Sequence, residues 1–152
     1  YSAIKMVLAD NQLEIVTIER DKNMYDAART NINQMGFDDQ ITVIHADALE
    51  CASVVSQDAT FDMLFIDAAK EPYTSSFELY KPMVRNEGMI ISDNILFRGL
   101  VAQESDIIEN RRIKRLVEKI KDYNQWLMSH PSFDTVILPI EDGLAVSIKK
   151  DI

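Results

Sequence analysis

Phe61-Asp-Met-Leu-Phe-Ile-Asp67 is the stretch whose reading decides the fold. It is nearly all apolar and does not alternate. A strand of this kind is covered on both faces, which is the setting of an inner strand in a parallel sheet. Pro72 to Val84 then reads as a helix, and Glu87-Gly-Met-Ile-Ile-Ser-Asp93 as a second strand of the same character.

Upstream, Gln40-Ile-Thr-Val-Ile-His45 and Glu14-Ile-Val-Thr-Ile-Glu19 are short β-branched runs and read as strands. Between them, Lys22 to Met35 is predicted helical, opened by Asp21 as N-cap and closed by Gly36. A short helix is predicted over about Ala48 to Val55, and Tyr1 to Ala9 reads as most of a helix whose beginning is absent. Downstream, Asn94 to Asp106 has no period and reads as a loop. Ile113, Leu116, Val117, Ile120 and Leu127 keep helical spacing on one face. Phe133 to Ile140 and Leu144 to Lys149, around Glu141-Asp142-Gly143, read as an antiparallel hairpin. The order α-β-α-β-α-β-α-β-α-β-β predicts an α/β fold. Its sheet would be mostly parallel, with helices on both faces and a closing antiparallel hairpin.

At 152 residues the chain is the size of one domain, spanning 1–152. The balance of 16 basic and 25 acidic residues leaves a net charge of −9, which does not suit indiscriminate polyanion binding. No apolar run approaches ~18 residues, so no membrane partner is expected. The start lacks the basic-then-apolar order of a signal peptide. The single Cys51 leaves no intrachain disulfide and no Cys-cluster metal site, in keeping with a cytoplasmic location.

In doubly wound sheets ligands lie beyond the carboxyl ends of the strands. Here these ends carry Glu19, Asp47, Asp67, Asp93 and Asn94. Glu19 has the position of a ribose-binding acid, and equally that of a solvated carboxylate. Asp47 suits capping of the following helix, or acceptance from an adenine amino group. Asp67, Asp93 and Asn94 converge if their strands are neighbours. Two carboxylates and an amide oxygen suit Mg²⁺, or Ca²⁺ or Mn²⁺. Lys70, three residues after Asp67, is a surface lysine or, beside a cation, a general base. Arg98 lies in Leu96-Phe-Arg-Gly-Leu100, the loop that directly follows the candidate ligands. The basic cluster from Arg111 to Lys121 reads as a solvated helix face or a phosphate-contacting patch.

Tyr1-Ser-Ala-Ile-Lys-Met, Ile18-Glu-Arg, Phe65-Ile-Asp-Ala-Ala-Lys70 and Ile90-Ile-Ser-Asp-Asn-Ile-Leu-Phe-Arg-Gly99 resemble the cation-dependent O-methyltransferases, which include the catechol and caffeoyl-CoA types. The Asn94-to-Val101 stretch is most similar to the bacterial tRNA 5-hydroxyuridine methyltransferases. The resemblance spans nearly the whole chain. It implies a Rossmann-like class I methyltransferase sheet with S-adenosyl-L-methionine as donor. It also implies Mg²⁺ or another divalent cation held by Asp67, Asp93 and Asn94, with Lys70 as base. Asp67 would also border the cofactor. Glu19 would bind the ribose, Asp47 would lie by the adenine, and Ser2 would meet the methionine carboxylate. Arg98 would face the substrate. The implied reaction is methylation of 5-hydroxyuridine in tRNA, with a catechol-like small-molecule hydroxyl as the alternative. A cytoplasmic homodimer is implied as well.

In that family a strand and a Glu-x-Gly loop precede the Tyr-Ser. The chain therefore reads as N-terminally truncated, with the central first strand missing between those ending at Glu19 and Asp67. It is then expected to fold stably only if the gap is filled, for instance by a partner chain, or if the strands close up, and a non-catalytic fragment is a further alternative. A nicotinamide-dependent reductase would use Glu19 but would leave Asp93-Asn94 without a task.

Overall fold

The structure is a computed structural model that describes residues 1–55, 60–67, 73–104 and 108–151. Contacts gather the chain into two compact units, Tyr1–Gln57 and Asp58–Ile152.

The first unit holds helix α1 (Ser2–Ala9), strand β1 (Ile15–Glu19), helix α2 (Lys22–Gln34) and strand β2 (Ile41–His45). β1 and β2 pair in parallel, with Ile15 opposite Ile41 and Glu19 opposite His45. Val7, Ile32 and Ile41 form the core, with Ile15, Phe37 and Val43 packed against it. The N-cap of α2 is as predicted: the Asp21 carboxylate accepts from Asn23 and Met24 N–H groups. The helix predicted over Ala48 to Val55 is absent, and that segment is a series of turns. Its backbone bonds are local: Glu50 and Cys51 N–H groups both donate to the Asp47 carbonyl, and Val54 and Val55 to that of Cys51. The Asp47 side chain accepts from Leu49 N–H at 2.9 Å, the Asx geometry that competes with helix continuation.

The second unit holds strand β3 (Phe61–Ile66), helix α3 (Tyr73–Tyr80), strand β4 (Val84–Ser92), helix α4 (Arg111–Met128), and strands β5 (Phe133–Leu138) and β6 (Leu144–Lys149). The strand order is β3-β4-β6-β5. β3 and β4 are parallel, and β6 runs antiparallel to both β4 and β5. β1 and β3 thus belong to different sheets. β4 begins at Val84, earlier than the sequence predicts, because the chain passes through an irregular register opposite Phe61 and Met63. Gly88 allows this. A Cβ there would lie 2.8 Å from Val84 Cγ1 and 2.9 Å from the Arg85 carbonyl oxygen.

The core joins α3, α4 and the sheet through Phe77, Ile90, Ile95, Ile120, Leu127 and Phe133. Ile120 and Leu127 come from the predicted apolar face of α4. Phe77 meets Trp126 and Phe133 edge to face at 5.2 and 4.9 Å. Asn110 caps α4, accepting from the Arg112 and Ile113 N–H groups. Asn110→Ala is expected to cost about 1 kcal/mol in urea denaturation. At the far end of the sheet, His130 Nδ1 accepts from Ser132 N–H at 3.2 Å, and its Nε2 faces Glu78 at 3.3 Å. The Lys81 ammonium, and then His130, hold the Glu78 carboxyl below its ordinary 4.5. A depressed carboxyl stabilises the fold above its ordinary value and loses that contribution as pH falls through its folded value. Glu78→Gln should therefore be less stable than the parent at pH 7, with the gap closing in thermal melts only as the pH falls below the ordinary carboxyl value and Glu78 is protonated in the fold.

Candidate active site

β3 and β4 bring the best candidate groups together. Ile66 pairs with Ser92, and Asp93 N–H donates to the Ile66 carbonyl at 3.0 Å. Asp67 and Asp93 therefore leave the sheet at the ends of neighbouring parallel strands. Partial desolvation, and then the Asp93 carboxylate, hold the Asp67 carboxyl above its ordinary range. The two acids feel each other as like charges. Asp93 Oδ1 accepts from Asn94 N–H at 2.6 Å, and Asn94 adopts left-handed backbone with φ 59°.

Tyr73, the first residue of α3, donates its hydroxyl to the Asp93 carbonyl at 3.0 Å. Burial pushes its phenol up to about 12, with Asp67, Asp93 and Asp142 acting in the same direction. It is therefore a hydroxyl donor at neutral pH. Tyr73 stacks on Tyr123 at 4.9 Å, and Tyr123 shares a 2.7 Å hydrogen bond with Ser92. Burial drives the Tyr123 phenol upward too.

Among the described residues no three His, Cys, Asp or Glu side chains cluster for a metal. The candidate centre instead offers the Asp67 and Asp93 carboxylates, with Asn94 next in the chain. Such oxygen donors fit a hard divalent cation that keeps water or substrate oxygens in its remaining positions. The mutual repulsion of Asp67 and Asp93 is what a cation would relieve. Lys70 lies outside the described residues. Arg98 is exposed, and its N–H donates to Asp142 Oδ1 at 2.6 Å.

The other candidates lie in the first unit. Glu19 ends β1, and its Oε1 accepts from Asp21 N–H at 2.8 Å, steadying the turn into α2. Asp47 follows β2. Its bond from Leu49, and then Arg20 at 3.3 Å, pull its carboxyl below the ordinary range. The helix that Asp47 is expected to cap is absent, and its carboxylate instead serves the turn at Leu49. Ser2 opens α1 and is exposed.

Tyr73, Tyr123, Asn124 and Asp142 had no signal in the sequence. Tyr73 and Tyr123 read as helix residues, and Asp142 as part of a turn. Their contacts cross the chain, from Tyr73 to Asp93 and from Asp142 to Arg98.

An α/β chain with paired acids at the ends of adjacent parallel strands, closed by an antiparallel hairpin, has the layout of the Rossmann-like methyltransferases. The chain belongs to the O-methyltransferase family, whose model matches residues 1–150. It is 37% identical to a Staphylococcus aureus protein of known structure, provisionally described as a caffeoyl-CoA O-methyltransferase. That match has a TM-score of 0.91 and covers 98% of this chain and 70% of that one. A Bacillus cereus O-methyltransferase solved with S-adenosylhomocysteine is 25% identical, with a TM-score of 0.76 over 90% of this chain and 63% of that one. The Vitis vinifera flavonoid 3',5'-methyltransferase is 30% identical over 96% of this chain. A catechol O-methyltransferase from Niastella koreensis is 28% identical over 99% of this chain and 69% of its own length. The chain spans 64% of the length of the Vitis protein. Among the described residues no helix is long and apolar enough to cross a membrane.

Proposed function

We propose that residues 1–152 form a methyltransferase domain, and that the whole protein moves the methyl group of S-adenosyl-L-methionine to a hydroxyl oxygen held at Asp67, Asp93 and Asn94. The observation that carries this reading is the parallel pairing of β3 with β4, in which Asp93 N–H donates to the Ile66 carbonyl at 3.0 Å and Asp67 and Asp93 leave adjacent strand ends. A divalent cation there, Mg²⁺ in the first instance, would lower the pKa of an acceptor hydroxyl, and the sulfonium donor would supply the methyl group.

This chain's own residues supply alignment and proton transfer. Asp67, Asp93 and Asn94 would hold the cation, and Asp67 would also border the donor. Lys70 takes the acceptor proton. Glu19 accepts from the ribose, Asp47 lies by the adenine, and Ser2 meets the methionine carboxylate. The family match over both units supports carrying these roles over. A cytoplasmic homodimer completes the reading.

The acceptor offers two adjacent oxygens to the cation. A catechol-type small molecule is favoured by the names of the relatives, which include a catechol O-methyltransferase, and by the net charge of −9. A second reading, 5-hydroxyuridine in tRNA, is favoured by the resemblance of the Asn94-to-Val101 stretch. There the hydroxyl sits beside a ring carbonyl and would chelate in the same way. The test supplies S-adenosylmethionine with a tritiated methyl group to the whole protein, with 3,4-dihydroxybenzoate or with tRNA bearing 5-hydroxyuridine. Label is expected on the catechol hydroxyl. Label on tRNA alone selects the second reading, and label on neither, under conditions in which the protein binds the donor, overturns both.

A further inference from the structure

The segment that carries Asp93 and Asn94 out of the sheet continues in unusual backbone. φ is 59° at Asn94, 41° at Phe97, 54° at Arg98 and 75° at Gly99. All but the last carry a side chain. Left-handed residues of this kind persist only where their surroundings over-determine them.

The groups that determine this segment come from three places. At its start, the α3 residue Tyr73 donates to the Asp93 carbonyl. In its middle, Asn124 of α4 donates from Nδ2 to the Ile95 carbonyl at 2.9 Å. At its far end stands the turn of the β5–β6 hairpin. The Gly143 carbonyl accepts from Ile95 N–H at 3.2 Å, and the Asp142 carbonyl from Leu96 N–H at 2.8 Å. The Asp142 carboxylate then accepts from Arg98 N–H at 2.6 Å, a short, charge-assisted bond. Asp142 thus grips Leu96 through its main chain and Arg98 through its side chain, bracketing Phe97.

We propose that Asp142 is a positioning residue for the acceptor. Its carboxylate fixes Phe97 and Arg98, while Tyr73 secures the Asp93 end. The inference rests on the reading above, in which the acceptor hydroxyl lies at Asp67 and Asp93. Phe97 and Arg98 lie three and four residues beyond Asn94; the Phe97 ring packs against the core and anchors the loop, and the exposed Arg98 supplies a cation. The acceptor class this cation fits is a hydroxyl compound bearing an anionic substituent. Asp142 acts on that class through the loop and touches neither donor nor cation.

The experiment compares the whole protein with Asp142→Ala and Asp142→Asn, using 3,4-dihydroxybenzoate, Mg²⁺ and S-adenosylmethionine. Asp142→Ala is expected to raise KM for 3,4-dihydroxybenzoate about tenfold, from loss of a hydrogen bond to a charged group. The KM for S-adenosylmethionine and the Kd for Mg²⁺ by calorimetry should stay within about twofold, because Asp142 acts on the loop and on neither of these sites. Asp142→Asn keeps an acceptor oxygen and should recover most of the loss. Independently of turnover, the Arg98 amide should exchange faster with deuterium in Asp142→Ala than in the parent. An unchanged acceptor KM with unchanged Arg98 exchange overturns the proposal. So does a Mg²⁺ affinity that falls in step with the acceptor KM, or an asparagine variant no better than alanine. Failure of the parent to methylate any acceptor instead counts against the functional reading, and the Arg98 exchange still reports on the contact.

Discussion

Asp93→Ala is expected to lower methyl transfer by the whole protein at least about a hundredfold, because it removes one of two charged donors from a centre that stabilises a developing oxyanion. Asp67→Ala should do the same. Stability should move the other way. Asp67 is held above its ordinary range partly by Asp93. A carboxyl raised in the fold weakens the fold at neutral pH relative to one left at its ordinary value. Without added metal, Asp67→Asn should therefore melt at or above the temperature of the parent. Asp93→Asn is the better comparison at the second position, because Asp93 Oδ1 accepts from Asn94 N–H and an amide oxygen retains that bond. Loss of activity without loss of stability separates a functional acid from a structural one. Parallel loss of both in the asparagine variants would place these acids among the structural residues.

Gly143→Ala carries the largest expected cost in stability, about 3 kcal/mol. Two effects add. The backbone there has φ 88°, which side chains seldom adopt. A Cβ would also stand 2.3 Å from Leu96 Cγ and 2.8 Å from Leu96 Cβ. The clash is with one side chain, so the Leu96→Ala background should absorb part of it, and a double-mutant cycle should show coupling between the two positions. Urea denaturation gives the numbers. A single-variant cost below about 1 kcal/mol would mean that the turn and the Leu96 loop separate easily, contrary to the tight packing described.

The sequence made the strands and the paired acids legible for one reason. Phe61-to-Asp67 and Glu87-to-Asp93 are largely apolar runs that each end on a carboxylate, and pairing them in parallel sets those residues at adjacent strand ends. β3 nevertheless stands last in its strand order, with Asp62 and Met63 exposed, and is not covered on both faces as its sequence predicts. α2 and α4 were legible from their Asp21 cap and their apolar spacing. The turns after Asp47 were not. Asp47 can open a helix or satisfy nearby N–H groups itself, and composition does not decide between the two. The loop from Asn94 to Gly99 was illegible because its left-handed residues are mostly not glycine. Their conformation is imposed from Asn124, 29 residues beyond the Ile95 carbonyl it holds, and from Asp142, 44 residues beyond Arg98. Tyr73 was hidden in the same way: its position at the start of α3 gives no sign that its hydroxyl reaches the Asp93 carbonyl.

The central claim is that Asp67, Asp93 and Asn94 act through a bound divalent cation. The direct measurement is the initial rate of methyl transfer by the whole protein after exhaustive chelation with EDTA, followed by titration with Mg²⁺. The expected result is a rate that falls to background and returns with Mg²⁺ in the parent, with no return in Asp67→Ala or Asp93→Ala. A full rate in EDTA, or a Mg²⁺ response that survives both substitutions, would contradict it.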